Sequence, residues 1–265
     1  HKKHQLAFAE LLKECETFEG SISARDPDFS ARDRIAPMKT YGFAYEDAQG
    51  QMRITPAGWR LIRGERVQEL FLKQMLKWQY PSYQHGGHVR TRHDYLPANQ
   101  MNVFPFVVTL DLARRLEGLS KREIAALVLP ILHKDEVDKA EKAILELREA
   151  LAALPMGRPR KEYADQVHQE WFRALYADDI RAGRIATREA HRPATIESFV
   201  ATKMRNSLDI ADAAIRYFRA TGLFTLEART NRLVISDFHR QEANQVLDTM
   251  TFEPVPFYTD VERFY

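Results

Sequence analysis

The chain of 265 residues contains a single cysteine, Cys15. One thiol cannot form an intrachain disulfide, and it cannot supply the paired cysteines of a zinc finger. No apolar run approaches the roughly 18–20 residues of a membrane-spanning helix, and no signal-peptide pattern is visible. These absences predict a cytoplasmic protein that has no membrane partner.

Catalytic motifs are also missing. None of the 12 lysines has Asp or Glu two positions before it, so the Asp/Glu-x-Lys pair that commonly serves Mg²⁺-dependent nucleases is not present. Asp26-Pro27-Asp28 has half of such a motif and fits a turn better. No P-loop, dinucleotide-binding glycine pattern or nucleophile motif occurs. We therefore expect no catalytic residue in these 265 residues.

One stretch has the composition of a loose metal site. His85 and His88 are separated by two glycines, and His93 and Asp94 follow shortly after. No cysteine supports the site, and the glycines would leave it poorly held. A polar loop that contacts a ligand is the better interpretation, so we expect no bound metal here.

The charge is nearly balanced. A net charge of +2 excludes a polycation that binds nucleic acid by bulk charge, but 27 of the 39 basic residues are arginine. The planar guanidinium can read guanine or grip phosphate bidentately. A GC-rich genome would produce the same bias, so the count is weak evidence for DNA binding.

A pattern of elements occurs twice, first within residues 31–62. A helical pattern ends at Gly42, two short alternating segments flank a polar turn at residues 47–50, and Thr55-Pro56 begins another helix. Helix, glycine stop, β-hairpin and N-cap together form the C-terminal half of a winged-helix unit.

The second copy lies about 180 residues later. A helical pattern ends at Gly222, a polar turn at residues 229–231 precedes a strand at 233–235, and Ser236 stands where Thr55 stood. Repeated winged helices are most often nucleic-acid readers.

The middle of the chain predicts a helix-turn-helix. A helix over residues 103–117 is stopped by Gly118, and Ser120 with Glu123 forms a capping box for a second helix that Pro130 shortens. An ordinary helical hairpin is the alternative. A long helix near 136–153 should pack behind this pair.

The remaining pattern predicts helices near residues 4–18, 66–78 and 163–179, with basic joints at 155–161 and 181–193. The expected fold is mainly α with small β-hairpins (α+β), built from tandem winged-helix and helix-turn-helix-like subdomains. The predicted divisions are a winged-helix-like part, a helix-turn-helix-like part, a connecting helix with its linker, and a second winged-helix-like part: residues 1–100, 101–160, 161–194 and 195–265.

Three blocks carry a family resemblance: RDRIAPMKTYGF, FLKQMLKWQYPSYQHGG (71–87) and TKMRNSLDIADAAIRYFRATGLF (202–224). In this order they resemble the AlwI family of type IIS restriction and nicking endonucleases, over about residues 28–265. The resemblance implies a DNA-recognition region, followed by a separate Mg²⁺-dependent nuclease domain that cuts outside a short asymmetric site. Thr259 and Glu262 form a helix-start signal just before Tyr265, so we expect the chain to continue there.

Three groups of polar residues are candidates for DNA contact. The first group lies beside the first glycine stop, the second lies on and after the helix at 66–78, and the third lies on the helix before the second glycine stop. Trp78 could stack on a base, but its helical spacing behind Phe71 favours the core. Within the third group, Asp209 and Asp212 could pair with Arg205 and Arg216 at i,i+4. The candidates are Arg32, Arg34, Lys39, Thr40, Lys73, Lys77, Gln79, Gln84, His85, Lys203, Arg205, Asn206, Arg216 and Arg219.

The functional prediction is a monomeric recognition region that binds a short asymmetric site in double-stranded DNA, needs no cofactor for binding, and serves a nuclease that uses Mg²⁺. The alternatives are a winged-helix transcription regulator and a self-contained nuclease. The second alternative would require a metal site that the sequence does not display.

Overall fold

A computed structural model describes residues 2–16, 22–82, 101–183, 195–255 and 261–264. These residues form mostly α-helices with two antiparallel two-stranded hairpins, which confirms the predicted mainly α composition. Among them, no helix combines the length and the apolar character needed to cross a bilayer. The chain divides into two compact units. The first comprises His1–Leu70, Ser82–Gln84 and Val255–Tyr265, and the second comprises Phe71–Pro81 and His85–Pro254.

The first unit consists of short helices around one hairpin. Its buried side chains include Ala9, Ala31, Tyr41 and Phe43, so α1 and α2 pack together and the chain leaving α2 lines the same core. The elements in order are α1 (Lys2–Glu14), α2 (Pro27–Thr40), β1 (Ala44–Glu46), β2 (Met52–Ile54), α3 (Pro56–Ile62) and α12 (Val261–Phe264).

The start of α2 corrects one expectation. Asp26-Pro27-Asp28 is not a turn, because Pro27 is the first residue of the helix and the backbone N–H of Ser30 donates to the Asp26 carbonyl at 3.2 Å. Proline is well accommodated there, since the first helical N–H has no intrahelical acceptor to lose.

The second unit is larger and is built around one long helix, α10. The elements in order are α4 (Val67–Lys77, which enters this unit at Phe71), α5 (Pro105–Arg115), α6 (Lys121–Glu123, continued by a π-helical segment Ile124–Val128), a 3₁₀ turn (Lys134–Glu136), α7 (Val137–Ala153), α8 (Arg158–Leu175), α9 (Ala177–Arg181), α10 (Ile196–Ala220), β3 (Phe224–Leu226), β4 (Leu233–Ile235), a 3₁₀ turn (Asp237–His239) and α11 (Arg240–Thr249).

Aromatic rings hold the C-terminal end of α10 in the core. The ring centroid of Phe218 lies 5.2 Å from that of Phe106 on α5, 6.0 Å from that of Phe224 on β3 and 6.1 Å from that of Trp78. Trp78 is therefore a core residue, as its helical spacing predicts, and its ring is not exposed for stacking on a base.

A second cluster of buried residues joins the N-terminal half of α10 to the helices that precede it. Phe172 and Tyr176 from the end of α8 pack with Phe199 and Val200 of α10 and with Ala126 of the π-helical segment. The long helix α10 is thus buried along one side over most of its length, and its opposite side faces solvent.

The predicted joint at 155–161 is shorter than expected. Helix α8 already begins at Arg158, and Pro159 lies in its first turn, where proline is compatible with a helix. The chain therefore turns within 154–157, where Gly157 has a φ of 92°. The expected helix over 163–179 is divided at Tyr176 into α8 and α9. Most of the second joint, from residue 184 to 193, lies outside the described residues.

Candidate nucleic-acid interface

The repeated pattern read from the sequence is present in both copies. Helix α2 ends before Gly42 (φ 73°) and α10 ends before Gly222 (φ 82°), and each glycine leads directly into an antiparallel hairpin. Thr55 caps α3 by accepting a hydrogen bond from the backbone N–H of Gly58 at 3.1 Å. Ser236 occupies the corresponding place, but its side chain makes no capping hydrogen bond.

The middle helix pair contacts the second copy. The backbones of Leu119, between α5 and α6, and Leu233, on β4, exchange two hydrogen bonds at 2.9 and 2.7 Å. A Cβ on Gly118 would lie 2.5 Å from Cγ1 of Val234, so only glycine permits this close approach. Both α6 and the π-helical segment pack against α10. Two helices, one bridging residue, a third helix and a hairpin are thus joined by direct contacts, and α7–α9 lie between α6 and α10 in the chain.

A buried ion pair fixes the turn between α5 and α6. The predicted capping box is confirmed, since Ser120 and Glu123 each accept a hydrogen bond from the other's backbone N–H, at 3.3 and 2.7 Å. Arg148 of α7 donates to Glu123 Oε1 at 2.8 Å and to the carbonyls of Leu116 and Gly118 at 2.7 and 2.6 Å. The sequence analysis missed Arg148, because nothing local to it indicates a partner about 25 residues away.

The exposed side of α10 has the expected composition. Arg205, Asp209, Asp212, Arg216 and Arg219 are all exposed and follow i, i+4, i+7, i+11 and i+14 spacing, which places them in one stripe along the helix. We call these five residues the α10 stripe. The opposite side carries the buried residues Ala211, Ala214, Ile215 and Phe218.

Ion pairing within the α10 stripe is uneven. Asp212 lies 3.3 Å from the Arg216 guanidinium and 3.4 Å from Lys121 Nζ, so the Asp212–Arg216 pair that the helical spacing allows is present. The Arg205–Asp209 pair that the same spacing allows does not form. Neither of these two side chains makes an ion pair with any part of the chain that the structure describes.

Two further candidates on α10 lie beside the stripe. Asn206 is exposed at its edge. Lys203 is turned toward the core, with Nζ 5.4 Å from the Tyr176 ring centroid and 5.3 Å from that of Phe199, as in a cation–π contact. Asn206 is thus accessible to a ligand, whereas part of the Lys203 charge already faces aromatic rings.

The candidates on α2 also include both exposed residues and residues that already make contacts within the fold. Arg32 and Arg34 are exposed. Lys39 was expected to project outward, but its side chain is only 18% exposed and its Nζ lies 3.4 Å from Glu46 Oε2 on β1. That ion pair links α2 to the hairpin, which explains the difference. Thr40 Oγ1 donates to the Ala36 carbonyl at 3.0 Å, which leaves its oxygen as an acceptor.

On α4, Lys73 and Lys77 are exposed, in agreement with a surface role. Gln79 is only 3% exposed, and its amide donates to the Pro81 carbonyl at 3.4 Å, so the structure turns this candidate away from solvent. Gln84 and His85 lie outside the described residues, as do His88, His93 and Asp94 of the loose metal-like stretch.

The two hairpin tips differ in charge. At the first, the buried Asp47 carboxylate accepts from the backbone N–H of Gln51 at 2.8 Å and of Gln49 at 3.0 Å, and from Arg53 Nε at 2.7 Å. These bonds, the one from Gln51 foremost, hold the pKa of Asp47 below its ordinary value. The charges of Asp47 and Arg53 therefore compensate each other.

At the second tip, Arg229 is exposed and Arg232 half-buried, and neither forms an ion pair within the ranges covered by the structure. The sequence analysis identified this turn but left its arginines out of the contact candidates. Their position at the tip of a hairpin was the available signal.

No group of three or more His, Cys, Asp or Glu side chains that could hold a metal ion occurs among the described residues.

Comparison with known proteins agrees with the resemblance carried by the three sequence blocks. The family model described as AlwI restriction endonuclease matches residues 39–265. None of the curated proteins matches the chain. Among solved structures, the chain is similar to one described as "Crystal structure of pyrene- and phenanthrene-modified DNA in complex with the BpuJ1 endonuclease binding domain", with a TM-score of 0.46, 15% identity, and coverage of 97% of this chain and 77% of that chain. The match over residues 39–265 confirms the predicted family: the chain belongs to the AlwI restriction endonuclease family.

Proposed function

We propose that this chain provides sequence-specific recognition of double-stranded DNA for a restriction endonuclease, with α10 as its reading helix. The observation that carries the proposal is the α10 stripe, an exposed polar surface on a helix whose opposite side is packed against α5, α6 and a hairpin. Family membership favours this function over a transcription regulator.

The connectivity of the second unit supports a winged-helix interpretation. In a helix-turn-helix protein, the reading helix lies in the major groove while its companion helices support it from behind. Here α5 and α6 are the supporting helices, the Leu119 bridge and the β3–β4 hairpin form the small sheet, and the hairpin tip is the wing. Helices α7–α9 are an insertion between α6 and α10.

The dimensions of α10 suit the major groove. Its 25 residues span about 37 Å at 1.5 Å per residue, and a groove about 12 Å wide admits one α-helix. Arg205 and Asn206 can form bidentate contacts with base edges, which gives them the reading role. Arg219 and the wing residue Arg229 carry charges suited to phosphates on either side.

The two copies of the repeated pattern differ in sequence, which bears on the kind of site they read. Palindromic sites mirror the two-fold symmetry of a protein dimer. A monomer that uses two non-identical copies has no such symmetry, so we propose a short asymmetric site, as in a type IIS or nicking enzyme. Mg²⁺ would serve the cleavage step of the nuclease, and binding needs no metal.

The experiment begins with selection of bound duplexes from a random pool, which defines the preferred site. Arg205→Ala and Asn206→Ala should then each cost about 1–3 kcal/mol on that site and little on scrambled duplex. Arg158→Ala is the matched control, because Arg158 is an exposed arginine paired with Glu162 on α8. Equal losses of affinity for both duplexes would mean that Arg205 and Asn206 contact the DNA backbone, which would contradict the reading role.

A further inference from the structure

The centre of the α10 stripe carries a carboxylate that nothing in the fold explains. Asp209 is exposed and belongs to no ion pair in the described parts of the chain, whereas its neighbour Asp212 is held by Lys121 and Arg216. It lies more than three turns into α10, so it does not cap the helix start at Thr195. Folding therefore provides no reason for a free carboxylate at this position.

On the proposed reading surface this carboxylate opposes binding. Phosphates dominate the affinity of any protein for DNA, and a like charge placed against them weakens binding to every sequence. Arg205 lies one turn away but does not neutralise Asp209 by a direct contact in the unbound protein. A residue that weakens binding to all duplexes contributes to recognition only if one sequence compensates for it.

Only one base can compensate fully. In the major groove, guanine presents two acceptors and thymine presents an acceptor and a methyl group, so both repel or ignore a carboxylate. Adenine presents a donor beside the N7 acceptor, which suits the amide of Asn or Gln. Cytosine presents the donor N4–H without an acceptor of its own beside it, and it is the usual partner of Asp and Glu.

We propose that Asp209 is a specificity-determining residue that accepts a hydrogen bond from the N4 amino group of one cytosine in the recognised site. This inference rests on the proposed function, because it requires α10 to enter the major groove. Asp209 then has two effects. It makes a favourable hydrogen bond to one base pair, and it weakens binding to DNA that lacks this base pair.

The first test is the Asp209→Ala variant. Binding to the selected site should weaken about ten- to a hundred-fold, while binding to scrambled duplex stays the same or becomes stronger. Glu149→Ala is the matched control, since Glu149 is an exposed carboxylate on α7 without an ion pair among the described residues. The control should change both affinities by a similar small factor. If Asp209→Ala instead binds the selected and the scrambled duplex more tightly by the same factor, Asp209 acts only as a repulsive surface charge and the proposal is overturned.

The second test changes the DNA. N4-methylcytosine keeps its Watson–Crick pair but replaces the amino hydrogen in the major groove with a methyl group. Substituting each cytosine of the selected site in turn should reveal one position at which the wild-type protein loses at least ten-fold in affinity. At that position the Asp209→Ala variant should lose little, because the contact is already absent.

The outcomes separate this inference from the function on which it depends. If no preferred sequence emerges from the random pool, the proposed function and the inference about Asp209 are both wrong. If a preferred site emerges and Arg205→Ala lowers discrimination, the proposed function stands. The inference about Asp209 is then overturned if the site lacks cytosine, or if the methylated positions affect the wild-type protein and the Asp209→Ala variant equally.

Discussion

Replacing Arg148 with alanine should destabilise the second unit strongly. In the native protein the Arg148 and Glu123 side chains are 17% and 5% exposed, and the guanidinium makes hydrogen bonds to the carboxylate and to two backbone carbonyls. Alanine would leave Glu123 buried, and among the described residues only the backbone N–H of Ser120 would still donate to its carboxylate. Breaking one partner of a buried ion pair costs about 3–5 kcal/mol.

The assay is thermal and denaturant unfolding followed by circular dichroism. For a unit of this size, about 3–5 kcal/mol lowers Tm by roughly 6–20 °C, at 2–4 °C per kcal/mol. Arg158→Ala is the matched control. Its pair with Glu162 is short, 2.6 Å, but the side chains are 87% and 61% exposed, so the expected change is below about 1 kcal/mol.

A double variant sharpens the test. Glu123→Gln removes the buried charge while keeping an acceptor for Ser120, so Arg148→Ala combined with Glu123→Gln should be more stable than Arg148→Ala alone. A cost for Arg148→Ala as small as that for Arg158→Ala, or a double variant in which the two losses simply add, would refute the view that an unpaired Glu123 causes the destabilisation.

Four further outcomes are expected. If about five phosphates are contacted, log K should fall with log[salt] at a slope near −4 to −5, and a slope shallower than about −2 would argue against a broad DNA-binding surface. Lys77→Ala should weaken binding to selected and scrambled duplexes alike and make the slope shallower by about one. Burial, with a smaller effect from Arg122, lowers the pKa of His168 from 6.5 to about 4. Between about pH 6.5 and pH 4, His168 is protonated in the unfolded chain but stays neutral in the folded one. The free energy of unfolding should therefore fall by up to about 3 kcal/mol as the pH falls through this range, and the His168→Gln variant should show a smaller fall. Plasmid incubated with this chain and Mg²⁺ should stay intact, because no lysine follows Asp or Glu at two positions, and nicking that is lost on mutating a residue of this chain would contradict this.

The features that the sequence predicted well are local ones. The glycine stops at Gly42 and Gly222, the two hairpins and the capping box of Ser120 with Glu123 each depend on residues within a few positions of one another. Their backbone conformations follow from steric preferences and short hydrogen bonds, which are the same wherever the segment is placed. The apolar and polar sides of α10 were predictable for the same reason, because helical spacing fixes them.

Long-range placement was not predictable in this way. The bridge from Leu119 to Leu233 and the reach of Arg148 to Gly118 depend on how distant segments pack. Lys39 and Gln79 have the residue types of surface contacts, yet Lys39 is half-buried beside Glu46 and Gln79 is buried beside Pro81. Residue type indicates what a side chain can bind, and only the packing decides whether a ligand can reach it.

The inserted helices α7–α9 have a consequence for engineering the specificity of this family. The bridge between α5 and α6 and its partner strand β4 are on the order of 100 residues apart, so the contacts that support α10 join segments that are distant in the chain. Arg148, which fixes the turn between α5 and α6, also comes from that insertion. A transplant of α10 with its hairpin would therefore leave behind the helices that pack against it and the Arg148 contacts that fix the turn between them. Exchange of sequence preference between relatives should move residues 101–255 together, or change single side chains of the stripe and leave the backbone in place.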